Sequence, residues 1–371
     1  MTLREVAVRA GVSISTVSRV INTPDDSFAR KEVRERVWAA IRETGYVPNQ
    51  TARELKLRQA AAGADASTGQ IACVLGRAAH LEENPFFAQL ARAIEQQALQ
   101  MGYSVTHSFS IYDGVDGDGM SQQLGNGAQP TQSGVRPDGN LAQLATHLKR
   151  LPAGPLDGII LLGKVTDEVV RLIEKHCKNV LYVGRNVLGC GWDQVICDGY
   201  EATRIAMEYL VSCGHRRIGY LGETKNEVRY QAYLDVMGKI CGDRPSMETS
   251  WVVSCRHDGE SGYRAAGRLL EGADPSPTAV FCAADAVAIA AMRRFGEAGV
   301  RVPGRISVIG MDNIELSAYV SPMLTTVGMP TVEMGNMAVK TLLDRITKQH
   351  RLPMKIFLPN RLLVRESVGK I

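Results

Sequence analysis

The sequence predicts a small helical head joined to a two-lobed, doubly wound α/β body, and three observations carry this. From Ile71 onward, apolar strand-like runs alternate with helical periods, the pattern of mostly parallel sheets with helices on both faces. Residues 3–57 instead read as short helices punctuated by Gly11, Gly45 and Pro48. The charge is also divided. Residues 1–60 hold 11 Lys/Arg against 7 Asp/Glu, while the other 311 residues hold 32 of each, so the whole net charge of +4 sits on the head. A basic module on a neutral body suits a polyanionic partner for the head.

The elements follow in order. Leu3, Val6, Ala7 and Ala10 lie on one face of a helix over residues 3–10. Gly11 suits the position after its last turn. Ser13 offers an N-cap to a second helix whose apolar face is Val17, Val20 and Ile21. Asn22–Ser27 is a loop. A third helix spans about Lys31 to Thr44 with Val33, Val37, Ala40 and Ile41 inward, and Gln50–Leu57 gives a fourth. Residues 59–69, small and polar, form a linker. This divides the chain into a head at 1–58, the linker, and a body at 70–371.

Strands are expected at Ile71–Leu75, Ser104–Phe109, Gly158–Leu162, Asn179–Val183, Ile218–Leu221, Ala279–Cys282 and Ser307–Ile309. Helices between them include Pro85–Met101, Glu201–Ser212 and Ala286–Ala298. So many residues exceed one such sheet, so two lobes are expected, with ligands at the carboxyl ends of the strands. Residues 112–140 interrupt the pattern with a Gly-rich insertion. Asp113, Asp116 and Asp118 are spaced three then two, with no Glu to complete a calcium loop. A surface insertion without a metal is the better reading.

Several function classes are excluded. The longest uncharged, apolar-rich stretch, Pro275–Met292, is interrupted by Asp285 and falls short of a ~20-residue membrane span. Met1–Glu5 lacks the basic-then-apolar start of a signal peptide, so a cytoplasmic protein is expected. Eight cysteines without a CxxC pair point to reduced thiols, with no zinc, disulfide or cofactor. No Gly-x-Ser-x-Gly elbow, Walker loop or Gly-x-Gly-x-x-Gly follows a strand, which argues against an enzyme.

Two short helices joined by Ala10-Gly11-Val12-Ser13 form a helix-turn-helix pattern. In this arrangement the second helix enters the major groove with its N-terminal side chains toward base edges. Those are Ile14, Ser15, Thr16, Ser18 and Arg19, and Arg19 suits guanine O6 and N7. Thr2–Ala7, Ala10–Asn22, Arg34–Val37, Gly45–Asn49 and Ala52–Leu55 together closely resemble the N-terminus of the LacI/GalR family of bacterial transcription regulators. The loop Thr23–Arg30 is about two residues longer than the family's common form. The resemblance implies a homodimer, without membrane attachment, that reads a near-palindromic double-stranded operator. Thr2, Leu3, Ser13 and Asn22 then join the recognition helix at the DNA. Residues 49–57 become a hinge helix in which Asn49, Ala52 and Leu55 meet the minor groove, with Leu55 as the wedge.

The body resembles the family too. Asn84–Phe87, Leu156–Leu161, Gly214–Gly219, Ser307–Asn313, Pro322–Val327 and Leu363–Ser367 match its characteristic runs. This implies a periplasmic-binding-protein-like pair of lobes gripping a small effector. Carried over residue by residue, Arg229 offers a planar fork to hydroxyls or a carboxylate, and Asp312 an acceptor for vicinal hydroxyls. Asp198 serves either the effector or its own helix as N-cap. Asp285 matches the acid of the family's Asn-Asp pair, but Ala284 replaces the Asn, which points to a helix cap. His257 and Arg77 align weakly with the cleft, and His257 reads better as a surface loop residue. No aromatic platform is evident, although Trp192, Tyr200 and Tyr233 are candidates.

The expected function is a transcription repressor whose operator affinity is controlled by a small effector, a sugar. The alternatives are corepression by a purine or sugar phosphate, and a ligand-binding protein without DNA function.

Overall fold

Two six-stranded sheets organise the larger part of the chain; all their strand pairs are parallel except one at an edge, and their central strands are buried on each face. The computed structural model describes residues 3–13, 16–17, 20, 31–44, 67–76, 84–110, 156–163, 165–241, 249–272 and 276–371. The chain divides into units Met1–Ser67 and Thr68–Ile371.

In the first unit, α1 (Leu3–Ala10) and α2 (Lys31–Thr44) are helices, and Thr16, Val17 and Val20 are also helical. Val6, Ala7, Ala10, Val17, Val20, Val37, Ala40 and Ile41 form one buried cluster. Gly11 has φ +64°. Its N–H donates to the Val8 carbonyl (3.2 Å), and Val12 N–H donates to Ala7 (3.1 Å), the bond pattern of a left-handed helix stop. Ser13 then caps the next helix: its hydroxyl accepts from Thr16 N–H at 3.1 Å.

The first lobe of the second unit has strand order β11-β5-β4-β3-β1-β2. Its strands are β1 (Gln70–Leu75), β2 (Ser104–Ser110), β3 (Gly158–Leu162), β4 (Val180–Gly184), β5 (Asp193–Ile196) and β11 (Lys355–Phe357). Helices α3 (Pro85–Gln100), α4 (Asp167–His176) and α9 (Thr331–Ile346) belong with them. Gly335 lets α9 lie against α3; a Cβ there would meet that of Ala93 at 2.7 Å.

The second lobe has order β12-β10-β9-β8-β6-β7. Its strands are β6 (Ile218–Gly222), β7 (Val252–Ser254), β8 (Ala279–Cys282), β9 (Ser307–Asp312), β10 (Thr325–Gly328) and β12 (Arg361–Leu363), the last antiparallel to β10. Helices α5 (Gly199–Ser212), α6 (Val228–Cys241), α7 (Gly259–Gly272) and α8 (Asp285–Glu297) accompany this sheet.

All seven expected strands form, within one residue at the start and three at the end. Five more were not anticipated. β5 opens on two buried polar residues, Asp193 and Gln194. Their hydrogen bonds come from elsewhere in the lobe. Arg345 and Met354 N–H donate to Asp193 at 2.6–2.7 Å, and His350 Nε2 lies 2.8 Å from it. β7, β11 and β12 have three residues each, too short for a period. The Gly-rich stretch 112–140, the hinge at 49–57 and most of the linker lie outside the described residues.

The chain passes between the lobes at 197–198, 329–330 and 358–360. Each crossing lies beside the carboxyl end of β5, β10 or β11, where doubly wound sheets place ligands.

Candidate functional site

The crossings bring a small set of polar groups together. Cys197 Sγ–H donates to Asn360 Oδ1 at 2.9 Å, and Asn360 Nδ2–H donates to the Asp198 carbonyl at 2.9 Å. Burial pushes the Cys197 thiol up to about 12, so it remains protonated. The Asp198 carboxylate accepts from Tyr200 N–H (2.8 Å) and Glu201 N–H (3.3 Å), which caps α5. The same side chain thus completes a helix and borders the crossings.

Arg185 follows β4 directly, and Asp312 ends β9 in the other lobe. Their side chains form a hydrogen-bonded ion pair, with Arg185 10% and Asp312 4% exposed. The guanidinium lies over the Phe86 ring, 4.4 Å from its centroid, and its Nε–H points to Met329 Sδ at 3.3 Å. The site therefore draws on the start of α3, the end of β4, a crossing and the end of β9. Asp312 has φ +116° and Asn313 φ +54°. Such backbone is costly for non-glycine residues and is kept where the surroundings impose it, often at ligand clamps. Arg365 supports this turn, donating to Asn313 Oδ1 at 2.7 Å and to the Leu324 carbonyl at 2.6 Å.

Arg229 is fully buried at the start of α6. Its Nε–H and Nη2–H donate to the two Glu227 oxygens at 2.7 and 2.8 Å, and Nη1–H donates to the Ala283 carbonyl at 2.6 Å. The fork expected to face an effector is engaged within its own lobe. His257 Nδ1 lies 3.5 Å from Arg229 Nη2 and 3.3 Å from Glu223. His257 is buried, which corrects the surface-loop reading.

Asp285 corrects the helix-cap reading. Ala284 is the N-cap of α8 and makes no side-chain cap bond. The Asp285 carboxyl instead accepts from Thr326 Oγ1–H (2.6 Å) and Ile314 N–H (3.0 Å), tying α8 to the turn after β9. Gly310 makes room for it; a Cβ there would collide with Asp285 Oδ1. Burial, and then repulsion from Asp312, push the Asp285 carboxyl well above the usual carboxylate range.

Of the aromatic candidates, Trp192 packs in the first lobe's core and Tyr233 in the second's, where its hydroxyl donates to the Ile218 carbonyl at 2.7 Å. Tyr200 donates to Asp235 at 2.9 Å. Sequence reasoning missed Arg185, Asn360 and Glu227. Arg185 carried the same signal as Asp312, a charged residue just after a buried strand.

In the head, Leu3 opens α1, and Ser13 and Thr16 sit at the turn and start of the second helix. Thr2, Ile14, Ser15, Ser18, Arg19, Asn22, Asn49, Ala52, Leu55 and Arg77 lie outside the described residues.

The lacI family of bacterial regulatory proteins matches residues 2–49, and the periplasmic binding protein-like domain matches 207–368. The HTH-type transcriptional repressor PurR of Proteus mirabilis (strain HI4320) is 31% identical over 375 residues, covering 99% of this chain and 97% of that protein. The chain belongs to the lacI family. Within it, PurR of Escherichia coli O1:K1 / APEC is 30% identical with the same coverage. The lac repressor dimer bound to operator and the anti-inducer ONPF superposes with a TM-score of 0.72 at 27% identity, covering 100% of this chain and 99% of that one. The transcriptional regulator CelR in complex with cellobiose gives 0.65 at 27%, covering 99% of each. A LacI family regulator from Lactobacillus casei with bound sucrose gives 0.63 at 26%, covering 80% of this chain and 99% of that one. The protein is thus a DNA-binding transcription regulator of the lacI family with a two-lobed, periplasmic-binding-like body. Among the described residues, no helix is long and apolar enough to cross a membrane.

Proposed function

We propose that this chain is a cytoplasmic homodimeric repressor that binds a near-palindromic operator and is not an enzyme. Its operator affinity is set by a small sugar held between the lobes. The observation that carries the reading is the meeting of Arg185 and Asp312 at the carboxyl ends of β4 and β9. A carboxylate there accepts from paired hydroxyls, and the surrounding groups are neutralised or already bonded. The relatives solved with cellobiose and sucrose support a sugar, and the operator-bound relative supports the DNA partner. Ser13, Thr16 and Arg19 face the bases and Leu55 wedges the minor groove, while Asp198 and Arg229 hold the site's frame.

Thermal melting of the full-length protein with cellobiose or sucrose tests the effector reading. A ligand at 100 times its Kd stabilises the native state by ~2.7 kcal/mol. The expected result is a raised Tm for at least one sugar in the wild type and no change for Asp312→Asn. An equal rise in the variant moves the effector away from Asp312. For the head, Arg19→Ala should cost ~1–3 kcal/mol at one base pair of the operator. A uniform loss on every sequence would reduce Arg19 to a phosphate contact.

A further inference from the structure

Arg185 belongs to no set of residues that the sequence assigned to the effector, yet it occupies the group best placed to receive one. Its guanidinium is bonded to the Asp312 carboxylate, and both side chains are nearly buried. An exposed ion pair contributes little. A buried one is different, because loss of either partner leaves an uncompensated charge. Among the described residues, the buried Arg229–Glu227 and Arg345–Asp193 pairs each stay within one lobe. Arg185–Asp312 joins the two.

The surroundings orient Arg185 for this contact. Phe86 lies beneath the guanidinium, Met329 receives Nε–H from a crossing, and the Arg185 carbonyl accepts from Gly199 N–H at 3.1 Å. Gly199 leaves the space; a Cβ there would stand 3.2 Å from that of Arg185. On the other side, Asp312 is held in left-handed backbone beside Asn313, which Arg365 braces. One lobe presents a fixed cation and the other a fixed anion.

We propose that Arg185 is a built-in occupant of the effector site, a latch whose guanidinium takes the place on Asp312 that an effector's donors would take and holds the lobes together. This rests on the reading of the interlobe site as the effector site. An effector whose donors take the Asp312 oxygen bonded to Arg185 displaces the guanidinium, so ligand and latch compete for that oxygen. That competition supplies the differential contact that any coupling of binding to lobe arrangement requires. It also decides which ligands enter. A molecule without donors for Asp312 leaves the pair intact.

If the latch sets the lobe arrangement, breaking it by mutation should act like an effector with no ligand added. The test uses the full-length protein and a duplex selected by it from a random-sequence pool. Operator affinity is measured for wild type, Arg185→Met, Asp312→Asn, the double variant and Arg185→Lys, with melting to show that each is folded. Each neutralising variant is expected to shift affinity in the same direction by about 5–150-fold, the usual size of an allosteric coupling. The double variant should go no further than the larger single, and Arg185→Lys, which keeps the cation, should stay closest to wild type. Folded variants within about twofold of wild type, far below that coupling, overturn the proposal. So does a double variant whose shift is the product of the singles. If Arg185→Met does not fold, Asp312→Asn and Arg185→Lys alone decide, by the same criterion. A wild type that selects no duplex overturns the operator reading itself, a separate and recognisable failure.

Discussion

Arg185 and Arg229 are both buried guanidiniums bonded to a carboxylate, but their partners differ in a way that separates framework from switch. Arg229 pairs with Glu227, two residues away, and its remaining reach goes to Ala283 in the same lobe. Arg185 pairs with Asp312, 127 residues away and in the other lobe. A contact made within one lobe is unchanged when lobes move. A contact made across two lobes is gained or lost with every movement. The lesson is that residue type and burial do not identify an effector group; the location of its partner does.

The largest effect that could break this comparison is on stability. Arg229→Met leaves Glu227 buried without its cation, which should cost about 3–5 kcal/mol. Adding Glu227→Met should recover much of that, because an apolar pair removes both charges. Urea unfolding checks both, and a single variant as stable as the wild type would contradict the framework role. Arg185→Met should cost less, about 1.5–3 kcal/mol, the range for a hydrogen bond to a charged group. Parting lobes admit water to Asp312, whereas Glu227 stays buried within its own lobe. Reversal of the two rankings would undo the comparison.

A pH series sharpens it further. Asp285 binds its proton more tightly in the folded body than in the unfolded chain, because burial and Asp312 raise its pKa. Its contribution is fully present below the unfolded value, about pH 4, and is lost as pH rises toward the raised folded value. Asp285→Asn should flatten that decline in urea midpoints as pH rises above about 4. An unchanged slope would mean that the decline comes from other groups. The smallest effect lies in the other unit. Ser13→Ala removes the cap on Thr16 N–H and should cost about 1 kcal/mol of head stability. Sugar binding by the body should be unaffected.

Much of the fold was legible because its signals are local. Gly11 and Ser13 punctuate the head by backbone rules that need no tertiary context. The hydrophobic strands from Ile71 to Ile309 announced themselves by apolar runs. β5 did not, because Asp193 is tolerated in a buried strand only through Arg345, His350 and Met354, more than 150 residues on. The site divided the same way. Asp312 could be found at a strand end, but the destination of Arg229's fork depended on Glu227 and Ala283, and the role of Arg185 depended on a partner in the other lobe. His257 and Asp285 were misplaced because burial at a loop or helix start leaves no periodic trace.

The most direct test of the central claim is operator affinity of the full-length protein, titrated with cellobiose and with sucrose, in wild type and Asp312→Asn. At least one sugar is expected to change wild-type affinity by about 5–150-fold and to leave the variant's affinity unmoved. A sugar that shifts both proteins equally, or that binds without changing operator affinity, would contradict that claim.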